Sequence, residues 1–265
     1  FTATQFAALA GTQIAALTAA GLEGLTATRM ASLTSAQLAA LTSTAMAALV
    51  DTQVAALTTT QVAALTTTQA SALSASGIDG LSATQVAALT TTDLGVLTAT
   101  QVRALDETQL AALSAAQVAA ITTTALRGLD ATGVAALTAT QIAGLDNERL
   151  AALSAAAFAG LSQTGVAALS GTQIAALSTT AIAGLASTQA AALSIGQIGS
   201  LTTTQMAALT ATGLDGFDAT QIAAFGATQI AALGASQLAS LDATQIAGLT
   251  TTQFGALTST ALAGL

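Results

Sequence analysis

The sequence predicts an all-α fold, a solenoid of very short capped helices, one per eight residues, with about 3.3 octads per superhelical turn. Three observations carry this. An eight-residue repeat runs from Thr2 to Leu265 without insertion, every repeat holds a helix-start signature, and repeat composition drifts with a second, slower period. After one leading Phe there are 33 octads, from TATQFAAL to TSTALAGL, so residues 1–265 are expected to be a single uninterrupted array.

Position one of the octad is Ser, Thr or Asp in 28 repeats, position three is Thr in 25 and position four is Gln in 20. Taking Thr58 as N-cap, its hydroxyl accepts the Gln61 backbone N–H while the Gln61 side chain reaches back to the Thr58 N–H. This is a capping box, and it satisfies two donors that a helix start otherwise leaves orphaned. Position five is a large apolar residue in 31 octads, Ala70 and Ala190 being the exceptions. Position eight is Leu in 30, replaced by Ile121, Phe217 and Phe225. Leu57 before the cap and Val62 after it form a hydrophobic staple. Positions six and seven are mainly Ala, with Gly or Ser as replacements. Each octad therefore reads as a helix of about one and a half turns followed by a sharp bend. Gly at position seven suits a left-handed exit.

One continuous helix is disfavoured, because a cap-forming triplet interrupts it every eight residues. The alternative is a β-solenoid, since Thr-x-Thr with Ile and Val is good strand material. Against it, the apolar positions alternate at spacings of three and five, not two.

Helices this short are not stable alone and must stack. Exceptions to the consensus suggest how. Position four is Gly or Ala in octads 3, 6, 10, 16, 17, 20, 21, 23, 27 and 33, with steps of three and four recurring. Placed at a step of 108° per octad, the full period of about 3.3 octads, nine fall in one arc and Gly165 is the outlier. The stripe so defined carries Gly21, Ala45, Gly77, Ala125, Ala157, Ala181, Gly213 and Ala261 at position four. The charged residues of position six, Glu23, Asp79, Arg103, Arg127 and Asp215, lie in the same arc. So do seven of the nine glycines at position seven: Gly24, Gly80, Gly128, Gly160, Gly184, Gly216 and Gly264. Loss of Gln there is expected to mark either close approach by another surface, the charges setting register between neighbours, or a solvent-facing corner where Gln is dispensable. Ten turns at about 8–10 Å would make a rod of roughly 80–100 Å.

Only 6% of residues are charged and the net charge is −8, with four Arg and no Lys. With no basic patch and 2% aromatics, nucleic acid and anionic membrane surfaces are excluded as partners. Ser, Thr or Gln interrupts every octad, so no membrane insertion is expected. The absence of His and Cys removes the usual metal ligands and Ser-His-Asp or Cys-His nucleophiles. The single, scattered glycines form no phosphate loop. Asp106–Glu107 and the Asp146-Asn147-Glu148-Arg149 cluster are the remaining candidates for chemistry. Asp106 and Asp146 sit at position one with Asp130, Asp218 and Asp242, where Asp is a favoured N-cap. No catalytic, cofactor-binding or metal residues are expected, no small-molecule ligand, and no enzyme activity. Gln at position four is also expected to form outward ladders along the solenoid.

The unit, as LTTTQVAA or LTATQIAG, resembles octapeptide arrays within large bacterial surface or secreted repeat proteins. The resemblance spans the chain and implies an extracellular or cell-surface stalk, fibre or matrix element. The expected function is structural: a rigid rod that self-associates laterally or end to end, read as a piece of a longer array. The alternative is a repetitive binding surface for ice, which needs the flat hydroxyl lattice of a β-solenoid, or for polysaccharide.

Overall fold

The computed structural model describes residues 3–263. Among them are 33 α-helices of four to six residues, α1 (Ala3–Ala7) to α33 (Ser259–Leu262), one per octad, and no strand. The helical reading holds and the β-solenoid alternative does not. Gly264 lies outside the described residues.

Side-chain capping starts most helices where the sequence places it. At α8 (Thr59–Ala63), Gln61 N donates to Thr58 Oγ1 at 3.2 Å and Thr58 N donates to Gln61 Oε1 at 2.7 Å. The bend differs from expectation. No described residue has positive φ, and Gly80 at position seven is right-handed, with φ −69° and ψ −15°. The chain turns instead through two extended residues, as at Leu89 (φ −61°, ψ 139°) and Thr90 (φ −74°, ψ 160°). A right-handed exit needs no glycine, so glycine at position seven has another cause.

By compactness the chain divides into two units, Phe1–Leu129 and Asp130–Leu265. Within each, a helix packs against the helix three octads away: α11 (Ala83–Ala88) on α8 and on α14 (Glu107–Ala112), and α28 (Ala219–Ala223) on α31 (Ala243–Gly248). The core is the column of position-five side chains, walled by position eight. Val62, Val86, Ile142 and Ile222 are fully buried, and Leu57, Leu81 and Leu137 nearly so. Phe217 and Phe225 replace Leu at position eight and meet edge to face, with centroids 5.3 Å apart at 83°. That geometry places a ring edge on a ring face, the favoured aromatic arrangement.

Candidate functional site

In the octads that carry it, the residue that does most is the position-four glutamine. Gln101 begins as a capping residue, its Oε1 accepting Thr98 N at 2.8 Å. Its Nε2 points inward and back, donating to Ala70 O at 3.0 Å, Ser71 O at 3.2 Å and Leu73 O at 2.8 Å. Those carbonyls close the helix four octads earlier, where the last turn lacks intrahelical donors. One amide thus caps the start of its own helix and the end of a helix in the preceding turn.

The bridge recurs at a separation of 28 residues, with a second bond at 31 or, as for Gln117 and Gln173, at 30. Gln69 reaches Leu41 O and Leu38 O, Gln197 reaches Leu169 O and Val166 O, and Gln253 reaches Phe225 O and Ile222 O. Helix contacts at three octads and amide bridges at four bracket the turn, as a period of about 3.3 octads requires. These glutamines are buried, Gln101 to 3% exposure, so the expected outward ladder is an inward one. Burial without a partner is costly for an amide, and no buried side-chain polar atom among the described residues lacks a hydrogen bond.

The amide also explains a gap in the sequence: no octad has Glu at position four. A carboxylate serves the N-cap as well as an amide oxygen does, but its second oxygen would face carbonyl oxygens inside the protein. Asp93 is the one acid in this column. It is 2% exposed and accepts from Thr90 N at 3.0 Å.

The acidic candidates act as caps. Asp106, Asp130, Asp146, Asp218 and Asp242 each accept the N–H three residues on, at 2.7–2.9 Å. These are shorter than the 3.2 Å of the Thr58 hydroxyl, as charge-assisted bonds are. The Gln109 backbone N–H and the Thr108 hydroxyl hold the Asp106 carboxyl below its ordinary 3.8. Arg149 forms an ion pair with Asp146 in the same helix start.

The stripe divides into an inner and an outer part. At position four, Ala45, Ala125, Ala157, Ala181 and Ala261 are at most 4% exposed, and Gly77 and Gly213 are buried; Gly21, in the first turn, is exposed. A Cβ on Gly77 would stand 3.4 Å from Val54 Cγ2, three octads back. At position seven the approach is closer still. A Cβ on Gly80 would stand 2.6 Å from Asp51 O, and one on Gly128, Gly160 or Gly216 would overlap the backbone of Ala99, Ala131 or Ser187. Each of these lies 29 residues earlier, at the start of the helix three octads before. The surface that approaches the small residues is the chain's own preceding turn. Gly24 and Gly184 are exceptions, with room for a methyl.

The charged members, Glu23, Asp79, Arg103, Arg127 and Asp215, are exposed. Arg103 Nε donates to Gly128 O at 3.3 Å, supplying a donor to a helix end. The seam was missed in the sequence because a capping box explains Gln fully from local spacing. The absent Glu was the signal that could have revealed it.

No curated protein matches the chain. Residues 30–67 and 90–123 match the ALTTAQ repeat family, a likeness carried in the first stretch by ALTTTQ at 56–61, which spans the bend, the cap and the bridging glutamine.

Proposed function

We propose that this chain is a structural, non-catalytic repeat protein, a rigid rod serving as an extracellular or cell-surface stalk or fibre and associating with its own kind. The observation that supports the reading is the glutamine bridge, in which the main buried polar side chain of most glutamine-bearing repeats is used to fasten one turn to the next. Within each unit that use opposes bending, because bending a solenoid must stretch bonds that end on buried carbonyls. Resemblance to bacterial octapeptide arrays supports the surface location. No helix among the described residues is long and apolar enough to cross a membrane.

Negative-stain imaging tests the reading. Stiff particles of roughly 80–100 Å, or filaments built from them, are expected from ten turns at about 8–10 Å each. Compact or freely flexing particles would overturn it. The binding-surface alternative predicts discrete short particles decorating polysaccharide. Its ice-binding form has lost its strand lattice, and many position-one hydroxyls are occupied in accepting helix N–H groups, as Thr58 and Thr98 are.

A further inference from the structure

We infer that two copies of this chain pair side by side and antiparallel through one row of charges in the first unit. The proposal rests on the structural reading and names the surface of its lateral self-association. Four helices on successive turns form the row. α7 (Asp51–Ala55) packs on α10 (Ala75–Asp79), α10 on α13 (Ala99–Arg103), and α13 on α16 (Thr123–Leu126). Each of these octads carries a single charged residue, in the order Asp51, Asp79, Arg103 and Arg127. All four residues are exposed.

The row is continuous from turn to turn. A Cβ on Gly80, next to Asp79, would stand 2.7 Å from Asp51 Cα, so the two acids are neighbours. Arg103 Nε donates to the carbonyl of Gly128, the residue after Arg127, which gathers the two bases. Arg103 and Arg127 are two of only four cations in a chain of net charge −8. Among the described residues neither forms an ion pair. A second observation falls at the acidic end. Val50, beside Asp51, is 47% exposed and gives its helix no side-chain cap. Ser or Thr at that position would cap the helix and leave nothing apolar in water. The lost cap and the exposed valine both fit a face that a second copy covers.

The order acid, acid, base, base is self-complementary. A two-fold axis between Asp79 and Arg103 sets Asp79 against Arg103 of the second copy and Asp51 against its Arg127, each pair occurring twice. Parallel pairing in register brings like charge to like, and parallel pairing shifted by two turns makes half as many contacts. One exposed ion pair contributes little, but four in this order select direction and register. At about 3.3 octads per turn the row slants by roughly 33° per step, so the copies cross at an angle with the Asp79–Arg103 pairs at the centre.

The experiment is sedimentation velocity on the 265-residue chain and two double variants, with circular dichroism confirming that each is folded. Arg103→Glu with Arg127→Glu makes the row wholly acidic, and Asp51→Arg with Asp79→Arg makes it wholly basic. The wild-type chain is expected to dimerise at low salt and to dissociate as salt rises. Each double variant alone is expected to remain monomeric, and an equimolar mixture of the two is expected to recover the dimer. A wild-type chain that stays monomeric at high concentration and low salt, or whose association ignores salt, overturns the proposal. So does a double variant that dimerises like wild type, or a mixture that stays monomeric. A monomer with the frictional ratio of a rod overturns only the pairing and leaves the structural reading standing. A globular ratio overturns that reading itself.

Discussion

Replacing Gln101 by Glu separates the two jobs of the seam in one residue. The carboxylate can still accept Thr98 N, now at 2.8 Å from the amide oxygen. Its other oxygen takes the place of an N–H₂ group lying 3.0 Å from Ala70 O and 2.8 Å from Leu73 O. Leu73 O loses its donor, a cost of about 1–3 kcal/mol for a buried acceptor. A charge unpaired at a site 3% exposed raises the total at pH 7 to about 3–5 kcal/mol. The glutamate's folded pKa is pushed above its unfolded value of about 4.3, by burial and by the facing carbonyl oxygens. Stability is therefore retained below pH about 4.3, where the protonated acid can donate to a carbonyl. It is lost at about 1.4 kcal/mol per pH unit as pH rises from there to the folded pKa. Urea unfolding followed by far-UV circular dichroism from pH 3.5 to 7, each point referred to wild type, reads this directly. Gln101→Met is the control. It loses both hydrogen-bonding roles, about 1–3 kcal/mol, with no pH dependence of its own. A Glu variant as stable as wild type at pH 7, or one whose deficit does not change with pH, would refute the bridge.

Gly128→Ala, whose methyl would overlap Ala99, is expected to cost about 1–3 kcal/mol, whereas Gly199→Ala, with nothing within 4 Å, should stabilise by about 0.4–1 kcal/mol. Melting both variants together checks whether glycine serves space or flexibility. Leu137→Ala is expected to cost about 2–5 kcal/mol as a cavity at a site 4% exposed. Its neighbour Thr138→Ala should cost about 1 kcal/mol as a lost cap, and equal small effects in denaturant titration would show that the columns do not divide the work. Asp106, with its carboxyl held low by Gln109 N–H, should titrate below 3.8 in a carbon-detected NMR experiment. Its capping contribution is present above the unfolded pKa and lost as pH falls through the depressed folded one.

Much of the fold was legible because local chemistry repeats. Thr58, Gln61, Leu57 and Val62 announce a helix start without reference to anything distant, and positions five and eight alternate as a core must. The second period was readable too, from which octads lose Gln. What local spacing could not supply was the destination of the second half of each amide, since Leu73 and Gln101 meet only after a full turn. The same blindness misassigned the glycines. Gly80 at a helix exit suggests a left-handed turn, but its role is set by Asp51, 29 residues away. The stripe was found as a pattern, while its partner, the preceding turn, depended on the superhelix.

Side-chain amide hydrogen exchange of the glutamines tests the bridge most directly, because it reports on the Nε2 protons that join the turns. The Gln101 and Gln205 side-chain amides, donating to Leu73 O and Leu177 O at 2.8 Å, are expected to exchange slowly, with protection approaching that of the helix backbone. The exposed Gln13 amide, measured at a concentration where the chain is monomeric, is expected to exchange at the rate of a free side chain. Fast exchange at Gln101 and Gln205, equal to that at Gln13, would contradict the claim that glutamine fastens each turn to the one before.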